Sequence, residues 1–265
     1  MTEPEDLLAF LAYKHKGDWE VIYEDIKNRV FPSQEEIDEG LSKIKSNYIS
    51  LFNPLYPVHL KNIFRPPFVL FYYGDISLIA DPDKNLSVVG SRDYSEYGAE
   101  MTRKIVKEVI DEYTIVSGLA RGIDTIAHET AVKNGGKTIA VLGCGIDYCY
   151  PKENIVLYND IKKNHLLISE YPGDTPPTND NFPIRNRIIA GLSKGLLVTE
   201  AHYKSGSGIT AHLALDFGRQ IMFVPYHANE ESLCNAFIRD GGFLVEDGED
   251  VKDVMDSSFG RKNLK

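Results

Sequence analysis

The chain has 265 residues, 43% hydrophobic and 26% charged, enough for one large domain with a sizeable core and a small attachment, in the composition of an ordinary soluble globular protein. No apolar run approaches the roughly 18 residues needed to cross a bilayer, and the start (MTEPEDLLAF) is acidic rather than basic, which excludes the membrane-spanning and signal-peptide classes and makes the cytoplasm the expected compartment. A net charge of −10 argues against a polyanionic partner, yet the acids are collected at the two ends: residues 1–40 carry eleven acids against four bases and 240–256 seven against one, leaving 41–239 neutral.

In chain order, the first 45 residues show only helical signals: an apolar run from Leu7 to Tyr13, another through Trp19, Ile22, Tyr23 and Ile26, and a third after Ser33. Ser33 and Glu36 have the capping-box spacing, in which hydroxyl and carboxylate each satisfy a free amide. A small helical domain is expected over 1–45, then a Pro-rich connector with one strand (FVLFYYG) over 46–85. From Leu86 onward, short β-rich runs (LSVVG, TIVSG, TIAVLG, HLLISE, GLLVTEA, QIMFVPY, FLVED) alternate with helical stretches. That alternation predicts parallel strands joined by crossover helices, an α/β doubly wound sheet filling 86–265. Ligands of such sheets bind at the carboxyl ends of the strands, where helix N-termini present free amides.

Four loops at those ends carry the candidate residues. In VVGSRDYSEYG, Ser91 and Arg92 offer a hydroxyl and a guanidinium to a phosphate, with Ser95 as a helix cap. In SGLARGID, glycines flank Arg121, and Asp124 suits the N-cap of the next helix; the alternative for Arg121 is an ion pair with a nearby carboxylate. In FPIRNRIIAGLSKG, Arg185 and Arg187 would lie about 200° apart on one helix, so they are expected in a loop and first turn, on different sides of one groove. Phe182 either offers a ring to a nucleobase or packs under the long loop. SGSGIT, beside Lys204, is an anion-receptive helix start.

Catalytic and metal signals are weak. The histidines lack metal-ligand spacing and no serine sits in G-x-S-x-G. Cys144, Cys149 and Cys234 form neither an even disulfide set nor a C-x-x-C pair. Glu170 and Glu200 end two strands, placed either for acid–base work or to orient the arginines.

Taken together, YPVHLKNIFRPPFVLFYYGD, VVGSRDYSEYG, SGLARGIDTIAHETAVKNGGKTIAVLGCGIDYCYPKEN, ISEYPGDTPPTNDNFPIRNRIIAGLS and TEAHYKSGSGITAHLALDFGRQIMFVP resemble the DNA-processing protein A (DprA, or Smf) family. The resemblance implies a Rossmann-like body, a sterile-alpha-motif-like N-terminal helical domain, and no C-terminal winged helix within this chain. It implies a protein that binds and protects incoming single-stranded DNA and loads RecA onto it during natural transformation and recombination. It also implies a homodimer, no cofactor and no catalysis. Carried onto this sequence, the family's DNA pocket uses Ser91, Arg92, Ser117, Gly118, Arg121, Phe182, Arg185, Asn186 and Arg187, with Lys204 on the rim. The sequence departs from the family pattern at Tyr226, where a glycine is common after Val-Pro, and at Cys234. The alternative is a nucleotide-processing phosphoribohydrolase of the lysine-decarboxylase-like type, whose G-G-x-G-T-x-x-E loop is approached by Gly206–Thr210 but lacks the glutamate.

Overall fold

Capping chemistry sets the first helices. In the computed structural model, which describes residues 3–203, 205–228 and 230–257, α1 (Pro4–Lys14) opens on a proline and α2 (Trp19–Lys27) on Asp18, whose carboxylate accepts from the Val21 amide. At α3 (Gln34–Leu41) Ser33 and Glu36 form the expected capping box. The connector is less irregular than its prolines imply: it holds β1 (Asn47–Ser50) and a single turn, α4 (Val58–Lys61), before β2 (Val69–Gly74). Four residues are too few for β1 to show an alternating pattern in sequence; pairing with β2, Ile49 opposite Leu70, makes it a strand.

The body then alternates as expected: β3 (Asn85–Val89), α5 (Glu96–Val109), β4 (Thr114–Ser117), α6 (Ile123–Lys133), β5 (Thr138–Leu142), α7 (Ile155–Asn164), β6 (Leu166–Ser169), α8 (Asn181–Leu192), β7 (Gly195–Val198), α9 (Gly206–Asp216), β8 (Gln220–Phe223), α10 (Leu233–Arg239), β9 (Phe243–Leu244) and α11 (Gly248–Asp256). The described strands form one sheet in the order β1-β2-β6-β5-β4-β3-β7-β8-β9. Every contact from β6 through β9 is parallel, while β1 and β2 add an antiparallel edge. Because helices cover both faces, β3, β5, β6, β7 and β8 are buried along their whole length, which is why they read as continuous apolar runs.

One face carries α8 and α9 over Ile188, Ile189, Val198 and Phe223; the other carries α5, α6 and α11 over Val88, Ile105, Ala127 and Met255. The N-terminal helices share a third cluster with the sheet, in which Leu8 and Leu11 join Phe71, Leu142 and Ile161. Full burial of a side chain such as Phe71 is worth about 1.5–3 kcal/mol, so α1 is held by the sheet edge as well as by its own neighbours. Among the described residues no helix is long and apolar enough to cross a membrane.

The topology fixes where a ligand can enter. From β3 the chain moves outward through β4, β5 and β6, then returns under α8 to place β7 on the other side of β3. The loops leaving β3 and β7 therefore diverge and leave a crevice at their carboxyl ends.

Candidate nucleic-acid interface

Backbone hydrogen bonds lace the loops at this crevice together. The Ser91 amide donates to the Glu200 carbonyl (2.8 Å) and the Ile123 amide to the Ser91 carbonyl (3.1 Å). Ser207 Oγ donates to the Gly90 carbonyl (2.7 Å), so the start of α9 is tied to the loop after β3. Ser117, expected in the pocket, instead spends its hydroxyl on the Val88 carbonyl (2.6 Å) and is fully buried. Gly118 lies directly against the Arg185 guanidinium, where a side chain would collide with it. Gly122 has φ +80° and faces the Ser91 carbonyl and Arg92 across a gap that admits no Cβ.

The crevice is a cleft of about 540 Å³ whose lining includes Arg92, Phe182, Asn186, Ile189, His202 and the first turn of α9. Arg92 is exposed, makes no ion pair among the described residues, and holds its guanidinium 5.7 Å from the centre of the Phe182 ring. On the same lining, the amides of Gly206 and Ser207 carry no hydrogen bond among the described residues. The positive end of the α9 dipole therefore opens into the cleft. Asn186 links the walls through Nδ2, which donates to the Gly206 carbonyl (3.4 Å).

The expectation of a loop and first turn around Arg185 and Arg187 is corrected. Both lie inside α8, and the helix sends them to opposite sides, as 100° per residue requires. Arg185 forms the cleft floor, 3% exposed, where Nη1 donates to the Gly118 carbonyl (2.7 Å) and to the Val141 carbonyl and Nε to Asn186 Oδ1 (3.2 Å). Burial lowers its pKa from the ordinary guanidinium value, and the nearby Asp124 opposes that shift. Arg187 lies outside the cleft lining: its Nη2 donates to both oxygens of Glu170 (2.6 and 2.8 Å) and its Nε to the Arg65 carbonyl (3.0 Å).

Asp124 is not the N-cap of α6; Gly122 is. Its carboxylate turns back to accept from the Gly118 amide (3.1 Å) and the Ala120 amide (3.4 Å), bracing the loop from below. Burial raises the Asp124 carboxyl above its usual range, against the pull of Arg185 and those amides. Arg121 is exposed and paired with Glu153, Nη2 to Oε2 at 2.7 Å, and does not line the cleft. Phe182 is half-buried, its ring over Gly143 and 5.4 Å from that of Tyr150. Lys204 lies outside the described residues.

Both strand-end acids are engaged in structure. Glu170 holds Arg187, and Glu200 accepts from the Ser95 amide and hydroxyl while Ser95 caps α5 as expected. The cleft residues that the sequence reading did not single out include Ile189, Asn179 and His202. Ile189 and Asn179 belong to apolar and loop stretches with no charge pattern to mark them, and His202 is visible only as a histidine two residues beyond a strand-end acid.

The sequence model of the DNA recombination-mediator protein A family matches residues 47–256. The DNA processing protein DprA of Streptococcus pneumoniae is 40% identical over 260 residues, covering 93% of this chain and 92% of that protein. The Bacillus subtilis DprA is 43% identical over 180 residues, where this chain spans 60% of the relative's length. Among solved structures, DprA from S. pneumoniae superposes with a TM-score of 0.81 at 36% identity over 95% of this chain and 96% of that one. DprA from Helicobacter pylori, described for its single-stranded DNA binding mode, gives 0.72 at 29% identity over 80% of this chain and 96% of that one. On the ordered motifs, the sheet topology and this extent of likeness, the chain belongs to the DNA recombination-mediator protein A family.

Proposed function

We propose that this chain binds single-stranded DNA in the cleft between β3 and β7, in the service of DNA processing during natural transformation. The observation that carries the reading is Arg92, an exposed guanidinium with no ion pair among the described residues, lining the same cleft as the first turn of α9, whose Gly206 and Ser207 amides have no hydrogen bond among the described residues. A phosphate between them would receive charge-assisted hydrogen bonds from one side and helix-start amides from the other. Ser91 and Asn186 shape the two walls, Ser117, Gly118 and Arg185 hold the floor, and Phe182 presents the remaining part of its ring beside the bound strand. Arg121 and Arg187 stand at greater distance, Arg121 on the outer surface and Arg187 behind α8, and Lys204 stays in the candidate set on its sequence position alone.

The protein acts by binding rather than by chemistry. Glu170 and Glu200, the acids best placed by sequence, are both consumed by hydrogen bonds. The α9 loop has Leu213 where the phosphoribohydrolase pattern requires a glutamate. The bound strand is then passed to RecA by a homodimer of this chain, the role that family membership supports.

A salt titration of single- and double-stranded oligonucleotides tests the reading. Single strands should bind more tightly, with log K falling linearly in log salt. Arg92→Ala should weaken binding across sequences and flatten that line by about 0.7, the contribution of one phosphate contact on a single strand. Equal affinity of wild type and Arg92→Ala for single strands would overturn it.

A further inference from the structure

Tyr150 lies just outside the cleft, on the segment between β5 and α7, and is 45% exposed. Its centroid is 5.4 Å from that of Phe182, with the planes 33° apart, and Phe182 is in turn 5.7 Å from the Arg92 guanidinium. The Tyr150 hydroxyl has no hydrogen-bond partner among the described residues. Arg121, paired with Glu153, is close enough to Tyr150 to interact with it electrostatically. Arg92, Phe182 and Tyr150 are thus successive neighbours leading out of the cleft, with Arg121 within electrostatic reach of Tyr150.

This set has the composition of a single-strand track: aromatic faces that accept any base, with cations for the phosphates. The outer cation is held only by an exposed pair, with side chains 65% and 52% accessible. Such pairs are worth little and are readily exchanged for another anion.

We propose that Tyr150 is the stacking platform for a nucleotide outside the cleft, and that Arg121 takes the phosphate beyond it by releasing Glu153. The strand leaves the cleft over Phe182, sets its next base on Tyr150, and replaces a carboxylate by a phosphate on the same guanidinium. No covalent bond is made or broken, and the exchange of anions leaves the charge on Arg121 unchanged. The inference rests on the cleft as the primary binding site.

The test is a ladder of thymidylate oligonucleotides of increasing length bound to the full chain at fixed salt. Wild type should show a step of at least about 5-fold in affinity once the strand is long enough to reach Tyr150, the lower end of the stacking contribution of one base. Tyr150→Ala should remove the step without changing the affinity for shorter strands, and Tyr150→Phe should keep it. Tyr150→Leu, which still covers Phe182 but has no aromatic face, should also lose the step, and guards against a folding defect in the alanine variant. Glu153→Gln should tighten long strands and steepen their salt dependence while leaving short ones alone. A length dependence unchanged in Tyr150→Leu overturns the platform, and an unchanged Glu153→Gln overturns the anion exchange. If Arg92→Ala binds every length as wild type does, the cleft reading itself has failed; if Arg92→Ala is defective while the Tyr150 variants are not, only the extension has.

Discussion

Arg187 and Glu170 form a two-point ion pair behind α8, with distances of 2.6 and 2.8 Å and side chains only 8% and 5% exposed. The pair joins α8 to the end of β6, and the Arg65 carbonyl takes a further hydrogen bond from the same guanidinium. It explains why a charged residue occurs in the apolar part of the helix that supplies the cleft floor.

Removing one partner leaves the other charged and dry. Arg187→Ala or Glu170→Ala is expected to cost about 3–5 kcal/mol of stability, whereas a double replacement by apolar residues of similar volume should cost far less. Urea unfolding of Arg187→Ala, Glu170→Ala and the variant carrying both alanines forms the cycle; additive losses would contradict a coupled pair.

Arg185 and Arg92 should separate by phenotype although both border the cleft. Arg185→Ala removes charge-assisted hydrogen bonds to the Gly118 and Val141 carbonyls and the countercharge of Asp124, each such bond being worth about 1.5–3 kcal/mol. Its thermal midpoint and its DNA affinity should fall together. Arg92→Ala should lose affinity at an unchanged midpoint, since no ion pair among the described residues depends on it.

Gly122→Ala places a side chain at φ +80° against the Ser91 carbonyl and Arg92. Backbone strain of this kind costs about 1–3 kcal/mol, and the collision displaces the very loop that presents Arg92. Both stability and single-strand binding should drop. Retention of full affinity would show that the loop position is not critical.

His128 gives the acid side of the stability curve. It is fully buried on α6, its Nδ1 2.6 Å from Thr138 Oγ1 and its Nε2 without a hydrogen-bond partner among the described residues. Burial, with the charge of Arg185 nearby, lowers its pKa to about 3. Above pH 6.5 the ring is neutral in both folded and unfolded chains and contributes no pH dependence. As pH falls below about 6.5 the unfolded chain takes up the proton and the folded one does not, so stability declines by about 1.4 kcal/mol per pH unit down to about pH 3. His59 and His165, also lowered by burial, act in the same direction, while the raised Asp124 carboxyl opposes them. Urea stability of His128→Gln between pH 6.5 and 4.5 should show a shallower slope than wild type, by roughly one proton.

The sequence by itself determined the alternation of buried strands and helices, because continuous apolar runs and capping residues such as Ser33 and Ser95 are local chemistry. It also placed Arg92, Phe182 and the α9 start at strand ends, since parallel sheets always open there. It did not reveal β1, whose four residues become a strand only by pairing with β2. What the arginines do was decided by the tertiary structure. Arg185 and Arg187 are two residues apart, yet α8 turns one to the cleft floor and the other to Glu170. Arg121 faces Glu153, 32 residues away in the chain. Charge can be counted in a sequence, but a free charge differs from a neutralised one only by its neighbours in space, and those neighbours are set by helix phase and crossover topology. For that reason Tyr150, unmarked in sequence, ends up beside Phe182, while Arg187, conspicuous in sequence, lies buried behind the helix.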